Sequence, residues 1–129
     1  MQGVYILKKN PTIFVVDDQD AIRSTIKDLL SDESYQTKTF DSAEALMEGL
    51  RTGHPDLVLL DIWLPGIDGV QALSSIKAVR PDLPVILMSG HAGIDVAVKG
   101  MKAGAADFLE KPLNLDILLE KVRQHLHLG

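Results

Sequence analysis

An α/β fold wound on both faces of a parallel sheet is the architecture this sequence predicts, on three observations. Short apolar runs recur five times, and each is followed by a segment with helical spacing. The first, third and fourth runs are strongly apolar, as strands covered on both faces must be. Just past the runs stand acidic, hydroxyl and ammonium side chains, which a parallel arrangement would gather along one edge of the sheet.

Taken in order, Thr12–Val16 is short, β-branched and bounded by Pro11 and Asp17, the pattern of a buried strand. Ile22, Ile26, Leu29 and Leu30 then recur on one helical face. Residues 35–40 have strand composition with mixed polarity, which suits a sheet edge. Asp41 is placed to cap a second helix with Glu44 following in its first turn, and Ala43, Leu46, Met47 and Leu50 line the buried face. Residues 56–60 form the next buried strand. Val70, Ala72, Leu73 and Ile76 mark a helix that must end before Pro81. Pro84 opens a buried strand over 85–88, and Ile94–Lys102 is a weaker helix, containing Gly100 and closed by Gly104. Residues 106–109 make a short strand, and Leu115, Leu118, Leu119, Val122 and Leu126 form a terminal amphipathic helix. With the mixed second strand at an edge, the five strands take the flavodoxin-like order 2-1-3-4-5 with helices on both faces.

The 129 residues are 46% hydrophobic and 24% charged, a globular balance sufficient for one domain. Lysine and arginine number 13 against 18 acidic residues, and the net charge of −5 argues against direct nucleic-acid or anionic-membrane binding by electrostatics. The absence of cysteine excludes disulfides, thiolate metal sites and cysteine nucleophiles. Apolar runs are far too short to cross a bilayer. Residues 1–10 place their lysines after their apolar residues and lack a small-residue cleavage site, so they read as a tail before a domain over 11–129. A cytoplasmic protein is the expectation.

Asp17 and Asp18 follow the first strand, Asp61 the third, Ser89 the fourth and Lys111 the fifth. Each has an ordinary reading alone. Asp17 can cap a helix, Asp61 can start the turn through Pro65 and Gly66, Ser89 and Gly90 form a turn pair, and Lys111 can be a surface lysine. Together they describe a cleft where three carboxylates repel unless a hard cation lies among them, and Mg²⁺ prefers a few carboxylates with waters and phosphate oxygens. In such a cleft Asp61 can attack phosphorus, while Ser89 donates to one phosphoryl oxygen and Lys111 pairs with another.

Four stretches carry a family resemblance: Val15-Val16-Asp17-Asp18; Leu59-Leu60-Asp61-Ile62-Trp63-Leu64-Pro65-Gly66 with Asp68-Gly69; Met88-Ser89-Gly90-His91; and Ala106-Asp107-Phe108-Leu109-Glu110-Lys111-Pro112. They resemble the receiver domain of two-component response regulators over about residues 11 to 127, and the stretch 89–112 resembles receivers of the nitrogen-regulator type, which activate alternative-sigma-factor transcription. The resemblance implies that Asp61 is the phosphoacceptor, loaded from a phosphohistidine on a sensor histidine kinase. It implies Mg²⁺ (or Mn²⁺) held by Asp17, Asp18, Asp61 and the backbone carbonyl of Trp63. Ser89 and Lys111 would contact the phosphoryl group, Ser89 and Phe108 would be the switch pair, and the Lys111–Pro112 bond would be cis. Trp63 and His91 would tune dephosphorylation. Two departures matter: Trp63 is bulky and narrows access to Asp61, and Phe108 lacks the commoner tyrosine hydroxyl, so its inward position must rest on packing. The implied activity is regulatory, with self-catalysed phosphotransfer and autodephosphorylation, and controls an output domain or partner in transcription regulation.

Two rivals fit less well. A haloacid-dehalogenase-type phosphatase would carry a general acid where this chain has Trp63. A flavodoxin-like FMN carrier would need a phosphate loop where Asp17 and Asp18 would repel the cofactor. The helix Ile94–Lys102, bracketed by Gly93 and Gly104, is the element expected to shift with the Phe108 strand, altering a homodimer or partner surface shared with the terminal helix. His125 and His127 point to different helical faces and do not form a metal pair. Whether the domain stands alone or belongs to a longer regulator stays open in the sequence.

Overall fold

Successive side chains of a strand point to opposite faces, so each buried strand here must satisfy two apolar layers at once. The computed structural model, which describes residues 10–64, 67–90 and 94–126, shows how this is met. In chain order the elements are β1 (Thr12–Val16), α1 (Asp20–Asp32), β2 (Gln36–Phe40), α2 (Ala43–Thr52), β3 (Leu57–Asp61), β4 (Trp63–Leu64), β5 (Ile67–Asp68), α3 (Gly69–Val79), β6 (Val85–Ser89), α4 (Ile94–Lys102), β7 (Asp107–Glu110) and α5 (Leu115–His125). Apart from Asn10, the expected tail lies outside the described residues.

Five strands form a parallel sheet in the order β2-β1-β3-β6-β7, the expected order once the two-stranded β4–β5 ladder is set aside. Phe14, Val16, Val58, Leu60, Val85 and Leu87 face one layer, which Leu46 and Leu50 of α2 and Leu73 and Ile76 of α3 complete. Ile13, Val15, Leu57, Leu59, Ile86 and Met88 face the other, against Ile26 and Leu30 of α1 and Leu118 and Val122 of α5. Among the described residues, no helix is long and apolar enough to cross a membrane.

Local chemistry differs from expectation in three places. Ser42, not Asp41, caps α2: it is the extended residue next to the first helical one, and its hydroxyl accepts from Ala45 N at 3.0 Å. Gly100 does not merely weaken α4. A Cβ there would lie 2.4 Å from Leu87 Cδ1, so the glycine lets the helix approach the sheet closely. The antiparallel β4–β5 ladder, pairing Trp63 with Asp68 and Leu64 with Ile67, has no counterpart among the expected elements, because two-residue strands carry no periodicity.

That ladder is held by the start of α3. Asp68 accepts from Val70 N at 2.7 Å as the helix cap. Gly69 N donates to Ile62 O at 2.9 Å. A Cβ on Gly69 would meet Ile62 Cα at 2.3 Å, a main-chain atom that cannot swing aside. Gly69→Ala is therefore expected to destabilise the domain by about 2–3 kcal/mol in urea denaturation, through forced separation of α3 from the chain after β3.

At the far edge, Asp107 of β7 ties to α5. Lys121 Nζ lies 2.7 Å from Asp107 Oδ1 and His125 Nε2 3.0 Å from Oδ2, while Lys121 also donates to Phe108 O at 2.9 Å. Burial works to raise the Asp107 pKa, but donation from Lys121, His125 and Phe108 N outweighs it and holds the carboxyl below its ordinary value of 3.8. A depressed folded-state pKa contributes stability above the unfolded value and loses it as pH falls through the folded one. Asp107→Asn should thus cost about 1 kcal/mol at pH 7. The gap from the wild type should close as the pH of the denaturation series drops below about 4.

Candidate functional site

Register places the site. Val16 is level with Leu60, Asp61 with Met88, and Ser89 with Glu110, so the carboxyl ends of β1, β3, β6 and β7 come out together. Asp17, Asp61, Ser89 and Lys111 therefore meet at one edge, as the sequence predicts. Asp61 and Ser89 are the last residues of their strands rather than the first residues beyond them, which fixes their main chains in the sheet ladder.

Asp17 is fully buried, Asp61 is 3% exposed and Ser89 1%, whereas Asp18 is exposed. Carboxylate oxygens of Asp17, Asp18 and Asp61 all lie within 4.8 Å of one another. Lys111 Nζ sits 2.7 Å from Asp17 Oδ2 and 3.4 Å from Asp61 Oδ2, on a side chain only 16% exposed. Lys111 follows directly on β7, and its bond to Pro112 is cis. Asp17 is further fixed by Gln19 N, which donates to its Oδ1 at 2.9 Å, and by Arg23, which donates to its carbonyl at 2.6 Å. The ordinary reading of Asp17 as the cap of α1 does not hold: the helix starts at Asp20 with Gln19 as its N-cap and no side-chain cap bond, and Asp17 lies two residues before Gln19, facing the cluster.

Trp63 N donates to Asp61 Oδ1 at 3.1 Å, the turn contact expected of an aspartate two residues earlier. Burial raises the Asp61 pKa; the Asp17 charge adds to the rise, while Trp63 N–H and Lys111 oppose it. The other Asp61 oxygen is directed to the Lys111 side of the cluster. Donors made only of carboxylate oxygens, crowded and partly buried, fit a hard divalent cation rather than a thiophilic or imidazole-seeking one.

Two contacts escaped the sequence. The Trp63 indole donates through Nε1 to Ser89 Oγ at 3.0 Å, across 26 residues of chain. Arg23 reaches the Asp17 carbonyl from the first turn of α1. Neither has a motif, since both depend on where separate elements come together. Phe108 is half-buried and packs against the layer covered by α2, α3 and α4. His91 lies outside the described residues, as do Pro65, Gly66 and His127.

The chain matches the response regulator receiver domain over residues 13–123. It belongs to that family. The receiver of NtrX from Brucella abortus superposes with a TM-score of 0.86 at 40% identity, covering 91% of this chain and 99% of that one. A CheY-like receiver from Methanospirillum hungatei gives 0.88 at 30% identity, covering 92% of this chain and 94% of that one. The nitrogen assimilation regulatory protein NtrX of Azorhizobium caulinodans is 40% identical over 109 residues, which are 83% of this chain and 24% of the relative. The transcriptional regulatory protein FixJ of Bradyrhizobium diazoefficiens is 38% identical over 106 residues, 82% of this chain and 52% of the relative. This receiver thus spans between a quarter and about half the length of these curated relatives.

In this receiver, burial and the neighbouring Asp17 charge disfavour the charged Asp61 carboxylate even with Lys111 beside it. Asp61→Asn keeps an acceptor oxygen for Trp63 N but removes one buried charge beside Asp17. In metal-free buffer at pH 7 it should stabilise the domain by about 1 kcal/mol in chemical denaturation. Mg²⁺ should raise the melting temperature of the wild type and raise that of the variant by less.

Proposed function

We propose that this receiver is a phosphorylation switch in which Asp61 takes a phosphoryl group from a sensor histidine kinase. The observation that carries the reading is the Asp61 carboxylate, held by Trp63 N on one oxygen and faced by the Lys111 ammonium at 3.4 Å on the other. An Asp61 oxygen attacks the phosphorus of a phosphohistidine as the P–N bond breaks, and the electron pair leaves with the imidazole nitrogen. Lys111, shared between Asp17 and Asp61, is already where an oxygen added to Asp61 would need a counter-charge. Ser89, buried at the neighbouring strand end, supplies a hydroxyl donor. Asp17, Asp18, Asp61 and the Trp63 carbonyl are the groups that would hold Mg²⁺ or Mn²⁺, which when bound neutralises charge developing on the phosphoryl oxygens. We assign His91 and Trp63 to tuning hydrolysis of the aspartyl phosphate, which the domain itself catalyses.

The same proposal extends to partners and output. Ile22, Ile26, Pro112, Leu113 and Leu115 line an apolar groove beside Lys111, where a donor protein can seat next to the acceptor. Phosphorylation moves Ser89 and Phe108 and alters the face formed by α4, β7 and α5, on which Val98, Met101 and Ile117 expose apolar surface at 43%, 48% and 43%. That face serves a homodimer or an output domain controlling transcription, in the cytoplasm and without direct contact to nucleic acid from residues 11–129.

The deciding experiment is incubation with Mg²⁺ and acetyl phosphate. Wild type should gain a base-labile adduct of about 80 Da, the mass of one phosphoryl group, and Asp61→Ala should gain none. Amide exchange in residues 90–111 should change with the adduct. A wild type that stays unmodified would overturn the assignment of Asp61.

A further inference from the structure

Trp63 is the chain's single tryptophan and is 54% exposed, yet its ring is far from free. Its main-chain N is bound to Asp61 Oδ1 at 3.1 Å, and its strand is paired with Asp68, the cap of α3. The other end of the side chain is bound as well, with Nε1 donating to Ser89 Oγ at 3.0 Å. The indole therefore bridges from the chain that follows the acceptor to the end of β6. An indole N–H can only donate, so the serine oxygen is the accepting partner in this bond.

We propose that Trp63 is a positioning residue for Ser89: its indole N–H holds the hydroxyl in the unphosphorylated domain, and the phosphorylated state forms when that bond is given up. The inference rests on the reading of Asp61 as phosphoacceptor. A phosphoryl group on Asp61 is a charged acceptor for the Ser89 hydroxyl, and hydrogen bonds to charged groups are stronger than neutral ones. The indole uses an Oγ lone pair and leaves the O–H to donate, so the two bonds compete through position. Drawing Oγ toward the phosphoryl group gives the O–H a charge-assisted bond and pulls Oγ away from the indole nitrogen, 3.0 Å from it at rest. The indole bond thus belongs to the resting state alone, and it sets how far the resting state is favoured. Its loss should shift the balance by the worth of one neutral hydrogen bond, about fivefold.

Beryllofluoride with Mg²⁺, titrated into the whole domain, tests this as a phosphoryl mimic. Affinity is read from the Ser89 and Gly90 amide signals in wild type, Trp63→Phe, Ser89→Ala and the double variant. Trp63→Phe keeps an aromatic ring but no N–H, and should bind the mimic about fivefold more tightly than wild type. In the Ser89→Ala background the same change should alter affinity by less than about twofold, because the bond is already absent. The lone indole gives a second readout: ligand-free Ser89→Ala should have its fluorescence shifted toward that of the mimic-saturated wild type. An unchanged or weaker affinity for Trp63→Phe overturns the proposal. So does an equal gain with and without Ser89, which would assign the effect to a less obstructed path past the ring. If wild type itself fails to respond to the mimic and gains no adduct from acetyl phosphate, the phosphoacceptor reading fails instead.

Discussion

Two carboxylates, those of Asp17 and Asp61, are buried at one edge of the sheet, and burying like charges side by side is costly without a cation beside them. Lys111 supplies that cation at 2.7 and 3.4 Å. It comes from the end of β7, an edge strand, while its partners follow β1 and end β3 nearer the middle of the sheet. The ion pairs thus join residues 94 and 50 positions apart in sequence, and they form only when all the intervening strands are in register. Burial raises the Asp61 pKa in spite of the ammonium, so one cation does not fully compensate the cluster. That residual negative charge is what a divalent cation at this edge would relieve.

The rest of the carboxyl edge keeps Asp61 in place. Ending β3 on Asp61 fixes its backbone in the ladder, and the Asx contact from Trp63 N fixes one oxygen. The chain then turns into the β4–β5 ladder, which the missing side chain of Gly69 allows to lie against Ile62. Rigid support on one side contrasts with α4 on the other, where Gly100 lets the helix ride directly on Leu87. Leu87 is level with Phe108 on the adjacent strand, two residues before Ser89. A displacement of Ser89 and one of Phe108 are therefore mechanically adjacent to the α4 contact, without any long pathway between them.

Similarity to NtrX and FixJ extends over this domain and not over their full lengths, and the α4, β7 and α5 face takes its character from its own residues. Asp107, Lys121 and His125 stitch β7 to α5 beneath that face. The stitch gives the surface a firm base on the α5 side, while α4, with exposed Val98 and Met101, offers the apolar part.

Hydrophobic patterning along the chain was enough to set the sheet order and the identity of the acidic cluster. Fully apolar strands leave few ways to bury β1, β3 and β6, and once those are central the residues at their ends must converge. Boundaries were legible only to a residue or so: Asp61 and Ser89 lie inside their strands, and Ser42 rather than Asp41 caps α2, because adjacent polar residues have similar local preferences. Which groups pair was settled only by the packed fold. The Trp63 indole on Ser89, Arg23 on the Asp17 carbonyl and His125 on Asp107 join side chains whose separation in sequence carries no periodic signal. Hydrophobic burial sets the fold through patterns repeated along the chain, whereas a single hydrogen bond depends on tenths of an ångström between elements that the pattern never specifies.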